Sequence, residues 1–243
     1  MGAARPASGE ADPAVAPSLA LLAREAMVFA NFMSGKLSVN RIAAQYAPGC
    51  DARPVMLVPG FLSSARSMFV LHQALERAGY PVTTWGLGRN LGAQSDTLDR
   101  LAANVASHGQ RHGGPVTMIG WSLGGVFSRE LAKRSPDLVR EVLTLGTPFS
   151  GSPRANNAWR LYERVAGHPV DAPPIDTVLH EKPPVPTFAF WSRRDGVIAP
   201  ACARGESGQR DRAIELDCGH LGFASKPSAV SAILAQLEST ASV

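Results

Sequence analysis

The sequence is poor in the features that mark a metal centre, a disulfide framework or a membrane span. Cysteine occurs only as Cys50, Cys202 and Cys218, with no C-x-x-C pair, so no zinc-site spacing is present and no structural metal is expected. An odd, low count suits a reducing compartment. Cys202 and Cys218 flank the segment assigned below to the catalytic end, either as two free thiols or as a bridge between loops. Charge is also scarce, 18% against 45% apolar residues, the balance of a soluble globular protein. The net charge is +4 and the sequence pI is near 9.2. The cations are mostly Arg, scattered without a run of five, so a nucleic-acid partner is not expected. Met1 to Pro17 is rich in Ala, Pro and Gly and lacks the cationic start and unbroken apolar stretch of a secretory signal. No stretch is long and apolar enough to span a bilayer, and a cytoplasmic location is the expectation. Repeats and low-complexity blocks are absent.

What is present divides the chain into an N-terminal extension, residues 1–50, and a main domain, residues 51–243. In the extension Leu19, Leu22, Ala26, Phe29 and Met33 recur at three- and four-residue spacing, the stripe of an amphipathic helix. Such a helix packs on the main domain or, as the weaker alternative, touches a membrane surface. From Val55 onward strand and helix signals alternate. Val55–Val58, Val82–Trp85, Val116–Ile119, Val142–Leu145, Thr187–Phe190 and Ala213–Leu216 read as short buried strands. Helices are predicted from Ser64 to Ala78, from Ser95 or Asp96 through Val105, from Leu123 to Arg134 and from Ser228 to Leu237. This alternation predicts an α/β fold, a mostly parallel six-stranded sheet with helices on both faces. One irregular, Pro-rich stretch, residues 151–185, reads as a small cap over the site, placed between the fifth and sixth strands.

Gly120-Trp121-Ser122-Leu123-Gly124 is a G-x-S-x-G pattern with a strand before it and a helix after it. That chemistry needs a serine on a sharp strand-to-helix turn, where glycines at the flanking positions relieve crowding. The helix N-terminus behind it offers backbone N–H groups and positive potential to a developing oxyanion.

With that motif in place, residues 51–240 resemble the α/β-hydrolase superfamily, and within it the compact bacterial serine esterases and lipases. Val58-Pro59-Gly60-Phe61 resembles the family's oxyanion loop, with Pro59 standing where the usual form has histidine. The resemblance implies an oxyanion hole from the N–H groups of Phe61 and Leu123. Leu145 to Phe149, with Ser150-Gly151-Ser152 beyond, resembles the segment that lines the pocket and leads into the lid. The family order of serine, acid, histidine then implies Asp195 as the acid. Asp195 follows a strand ending at Phe190, at the carboxyl end where parallel sheets keep their sites. Asp171 and Asp176 in the cap are the rival acids. Of six histidines, His72, His108 and His112 lie in or near helices and His168 and His180 in the cap. His220 alone sits between the last strand and the last helix, in a loop that Gly219 and Gly222 allow to bend.

The implied activity is hydrolysis of carboxylic esters through a Ser122–His220–Asp195 triad and an acyl-enzyme. No metal and no organic cofactor is expected. Phe61, Trp121 and Phe149 are the expected apolar substrate contacts, favouring an ester or lipid as the small-molecule partner. Acyltransferase, thioesterase or perhydrolase chemistry uses the same triad and stays open, because fold does not decide function. Haloalkane dehalogenase is disfavoured, since it needs a carboxylate in place of Ser122. A non-catalytic binding protein is also disfavoured, with all three triad candidates present. Acyl length and oligomeric state are not legible.

Overall fold

A computed structural model describes residues 15–28 and 53–241. Its frame is a six-stranded sheet in which every pairing is parallel, ordered β2-β1-β3-β4-β5-β6. The strands are β1 Val55–Val58, β2 Val82–Thr84, β3 Val116–Trp121, β4 Val139–Leu145, β5 Thr187–Trp191 and β6 Arg212–Glu215. The helices are α1 Leu19–Val28, α2 Phe69–Arg77, α3 Thr97–His112, α4 Leu123–Arg134, α5 Trp159–Ala166, α6 Pro200–Arg204 and α7 Pro227–Ala241.

Alternation along the strands splits the core in two, because successive side chains leave a strand on opposite faces. Val55 and Leu57 of β1, Ile119 of β3 and Leu143 and Leu145 of β4 meet Leu71 and Leu75 of α2 and Ile233, Leu234 and Leu237 of α7. Met56 and Val58 of β1, Met118 of β3 and Val142 of β4 meet Leu98, Leu101 and Val105 of α3 and Phe127 and Leu131 of α4. Burial on both faces is why these strands read as unbroken apolar runs.

The chain runs from β1 outward to β2, then crosses back so that β3 pairs with the other side of β1. The connection leaves in opposite directions from β1 and β3, and a crevice opens there at the carboxyl ends.

Several local expectations are revised. Residues 151–185 lie between β4 and β5, one strand earlier than expected: the six strands read from the sequence already place this stretch between the fourth and the fifth. The helix predicted from Ser64 begins as a 3-10 turn, Ala65–Met68, and Ser64 makes no side-chain cap. The N-terminal helix does contact the main domain, through Glu25; of its apolar stripe Leu19 is 76% exposed and Leu22 half-buried, and Phe29 and Met33 lie outside the described residues. Among the described residues no helix is long and apolar enough to cross a membrane.

Leu234 of α7 is fully buried in the core cluster to which α2 and the sheet also contribute. Leu234→Ala is expected to lower unfolding stability by about 2–5 kcal/mol, read from the urea midpoint at unchanged slope.

Candidate active site

The site is assembled at the carboxyl ends of β1, β3, β5 and β6. β3 delivers Ser122 and α4 carries the chain away, and Ser122 takes φ 53° and ψ −122°. A non-glycine residue there is strained by roughly 1–3 kcal/mol, and the surrounding glycines allow it. A Cβ on Gly124 would strike the Val58 carbonyl, and one on Gly120 would strike Gly125. The turn is therefore closed on both sides to anything larger. As the first residue of α4, Leu123 has an N–H without an intrahelical acceptor.

The loop after β1 comes close above the serine. A Cβ on Gly60 would lie 3.2 Å from Ser122 Cβ. This loop is shaped by Asn90, a fully buried side chain absent from the expectations. Its Nδ2 donates to the Pro59 carbonyl at 2.8 Å, its Oδ1 accepts from Gly92 N–H at 3.2 Å, and its carbonyl accepts from Leu62 N–H at 2.7 Å. Leu62, held at φ 59°, turns the chain immediately after Phe61. A buried asparagine in a loop carries no periodic signal, and only its contacts reveal the part it plays.

Asp195 and His220 meet. The Nδ1 of His220 is 2.8 Å from Asp195 Oδ2, and both side chains are buried. The second oxygen, Oδ1, accepts from the N–H groups of Val197 and Ile198, both at 2.8 Å, so the carboxylate cannot rotate away. The two loops are stitched once more by Ser192, whose hydroxyl donates to the Cys218 carbonyl at 2.6 Å. Trp121 joins this pair to the serine: its indole Nε1 donates to the His220 carbonyl at 3.2 Å, and the two rings lie 5.6 Å apart. The Ser122 hydroxyl itself makes no hydrogen bond to the imidazole.

Ser122 opens into a cavity of about 550 Å³ whose apolar wall includes Phe61, Leu123, Val126, Ile175, Leu179 and Ile198. The stretch Val170–His180 supplies the far wall, and α5 anchors it, with Tyr162 against the Phe61 ring at 5.3 Å between centroids. Two expected contacts are not on this wall. Trp121 is turned into the core beside Phe190 and Phe223, and Phe149 is fully buried beneath Arg129, whose guanidinium lies 4.1 Å from its ring centre. Both side chains follow the inward face of their segments. The rival acids Asp171 and Asp176 line the cavity, and Asp171 is paired with Arg154 at 3.0 Å. Cys202 and Cys218 are buried free thiols, the Cys218 thiol pushed up to about 12 chiefly by burial. Cys50 lies outside the described residues.

No family model matches this chain, and no curated protein does. Solved structures do match. One, from work on LipS and LipT, two metagenome-derived lipolytic enzymes, aligns with TM-score 0.57 at 19% identity over 80% of this chain and 95% of its own. The fold is that of the α/β-hydrolases. Polyneuridine aldehyde esterase aligns with TM-score 0.54 at 15% identity, covering 76% of this chain and 99% of its own. Naproxen esterase (carboxylesterase NP) from Bacillus subtilis aligns with TM-score 0.53 at 16% identity, covering 79% and 85%. At such identities the likeness is one of α/β-hydrolase architecture.

Within this α/β-hydrolase frame the His220 imidazole is under opposing forces. Burial disfavours the imidazolium, but the Asp195 charge and hydrogen bond, with the Glu25 charge behind them, outweigh it and raise the pKa above 6.5. The neutral form, which a base requires, is therefore gained only as pH rises through that elevated value. Asp195→Asn removes the charge and leaves the burial, so the imidazole of this variant is expected to titrate lower than wild type by NMR.

Proposed function

We propose that the protein is a serine hydrolase that cleaves carboxylic esters with Ser122 as nucleophile, His220 as general base and Asp195 as the acid that orients it. The observation that carries this reading is the buried 2.8 Å contact between Asp195 and His220, in a chain whose Ser122 stands in a strained strand-to-helix turn. Asp195 accepts the Nδ1–H and leaves Nε2 as the basic nitrogen. In the first step Nε2 takes the hydroxyl proton as Ser122 Oγ bonds to the ester carbonyl carbon. The carbonyl oxygen becomes an oxyanion against the N–H groups of Phe61 and Leu123. Collapse breaks the carbon–oxygen bond to the alcohol, which leaves with the proton held by His220. Water, deprotonated by His220, then attacks the acyl-enzyme, and Ser122 recovers its proton with release of the acid. The Ser122–His220 hydrogen bond forms when substrate is bound, as catalytic hydrogen bonds commonly tighten on binding. The helix α1, Leu19–Val28, and residues 151–185 are in this reading a docked helix and the roof of the acyl site.

The apolar cavity supports an acyl or aryl group as the part of the substrate it holds. Ser122→Ala is expected to lower kcat by about a million-fold, with loss of fluorophosphonate labelling; near wild-type hydrolysis by this variant would refute the assignment. Across p-nitrophenyl esters from acetate towards palmitate, kcat/KM is expected to rise by about fourfold per methylene until the cavity is full, following about 0.8 kcal/mol per buried methylene. Fastest turnover of acetate would mean that the cavity does not hold the acyl chain.

A further inference from the structure

Glu25 is a buried carboxylate that the triad does not use. It stands on α1, far from the catalytic end in sequence, yet its side chain enters between the two loops that carry the acid and the base. Oε1 accepts from Gly196 N–H at 3.0 Å and from His220 N–H at 2.6 Å, and Oε2 accepts from Leu221 N–H at 3.1 Å. One side chain thus grips the residue after Asp195 and the backbone of His220 itself. Two glycines make room for it. A Cβ on Gly219 would lie 2.7 and 2.8 Å from the Glu25 oxygens, and one on Gly196 would lie 2.5 Å from the Leu21 carbonyl. Asn157 adds a second tie, its Nδ2 donating to the Pro17 carbonyl at 2.9 Å and to the Gly196 carbonyl at 2.8 Å.

Among the described residues no cation pairs with Glu25. Among the described residues its carboxylate oxygens are met by these three backbone N–H groups. The Glu25 charge acts on His220 and on Cys218, and Cys218 is in turn under Asp195, Lys226 and Asp217.

We propose that Glu25 is a positioning residue for catalysis. Through three backbone N–H groups it fixes the Asp195 and His220 loops relative to each other, and it places a second negative charge behind the imidazole. This rests on the triad reading above. A displacement of about 1 Å in such a constellation can cost about a hundredfold in rate. Removing the charge also lowers the His220 pKa, because Glu25 contributes to its elevation.

The test is Glu25→Gln and Glu25→Asp in the full chain, read by kcat, KM, the acid limb of the pH profile and NMR titration of His220. Glu25→Gln is expected to lower kcat about ten- to a hundredfold, with KM little changed because Glu25 does not line the cavity. Its acid limb and its imidazole titration move to lower pH. Glu25→Asp keeps the charge and shortens the reach, so its kcat falls while His220 titrates near the wild-type value. Wild-type kcat and an unmoved imidazole in Glu25→Gln, with only thermal stability lost, overturn the proposal. Should Glu25→Gln not fold, Glu25→Asp decides: lower kcat at constant KM supports the assignment and unchanged kcat overturns it. If the wild-type protein shows no Ser122-dependent ester hydrolysis, the functional reading fails, and the imidazole titration still decides whether Glu25 acts on His220.

Discussion

Ser122 can occupy its strained turn only where a parallel strand hands the chain directly to a helix with no room for side chains on either side. Gly120 and Gly124 leave that room, and the approach of Gly60 to Ser122 Cβ closes it again from above. The backbone energy stored there is offset by the burial of β3 and α4 against the core on both sides of the turn. The same geometry sets Ser122 on the wall of the cavity and leaves the first N–H of α4 without an intrahelical acceptor. The other features of the candidate site are arranged at the same end of the sheet.

The second organising interaction is electrostatic. Two carboxylates and an imidazole are buried together, which would be costly if any lone pair were left without a donor. Asp195 meets this by accepting two backbone N–H groups and the imidazole, and Glu25 by accepting three backbone N–H groups. The loops after β5 and β6 are thus ordered by side chains that neutralise their own desolvation. Their order is what sets the imidazole at the edge of the sheet rather than in solvent.

Much of the fold was readable in the residues themselves. Unbroken apolar runs such as Val55–Val58 and Val116–Ile119 signalled buried parallel strands, and α4 begins at Leu123 and ends at Arg134 as expected. The pairing of Asp195 with His220 was implied by the resemblance, through its order of serine, acid and histidine, and the structure brings the two within 2.8 Å. Trp121 and Phe149 were misplaced because hydrophobicity says that a side chain is buried and not which face buries it. For the N-terminal helix the apolar spacing drew attention to Leu19, which is exposed, while hydrogen bonds that tie the helix to the domain are made by a charged residue, Glu25.

By itself the sequence determined what is local or periodic: the strands, the helices, the glycine-flanked serine and the order of the candidate triad. Spacing of this kind is written into a short window because backbone geometry repeats within it. The tertiary structure alone decided which distant groups share a site. Asn90 shapes the loop after β1, 31 residues away, and Glu25 reaches N–H groups 171 to 196 residues away. Those contacts depend on where loops end after the sheet has closed, and a buried polar side chain leaves no period in the sequence from which to read them.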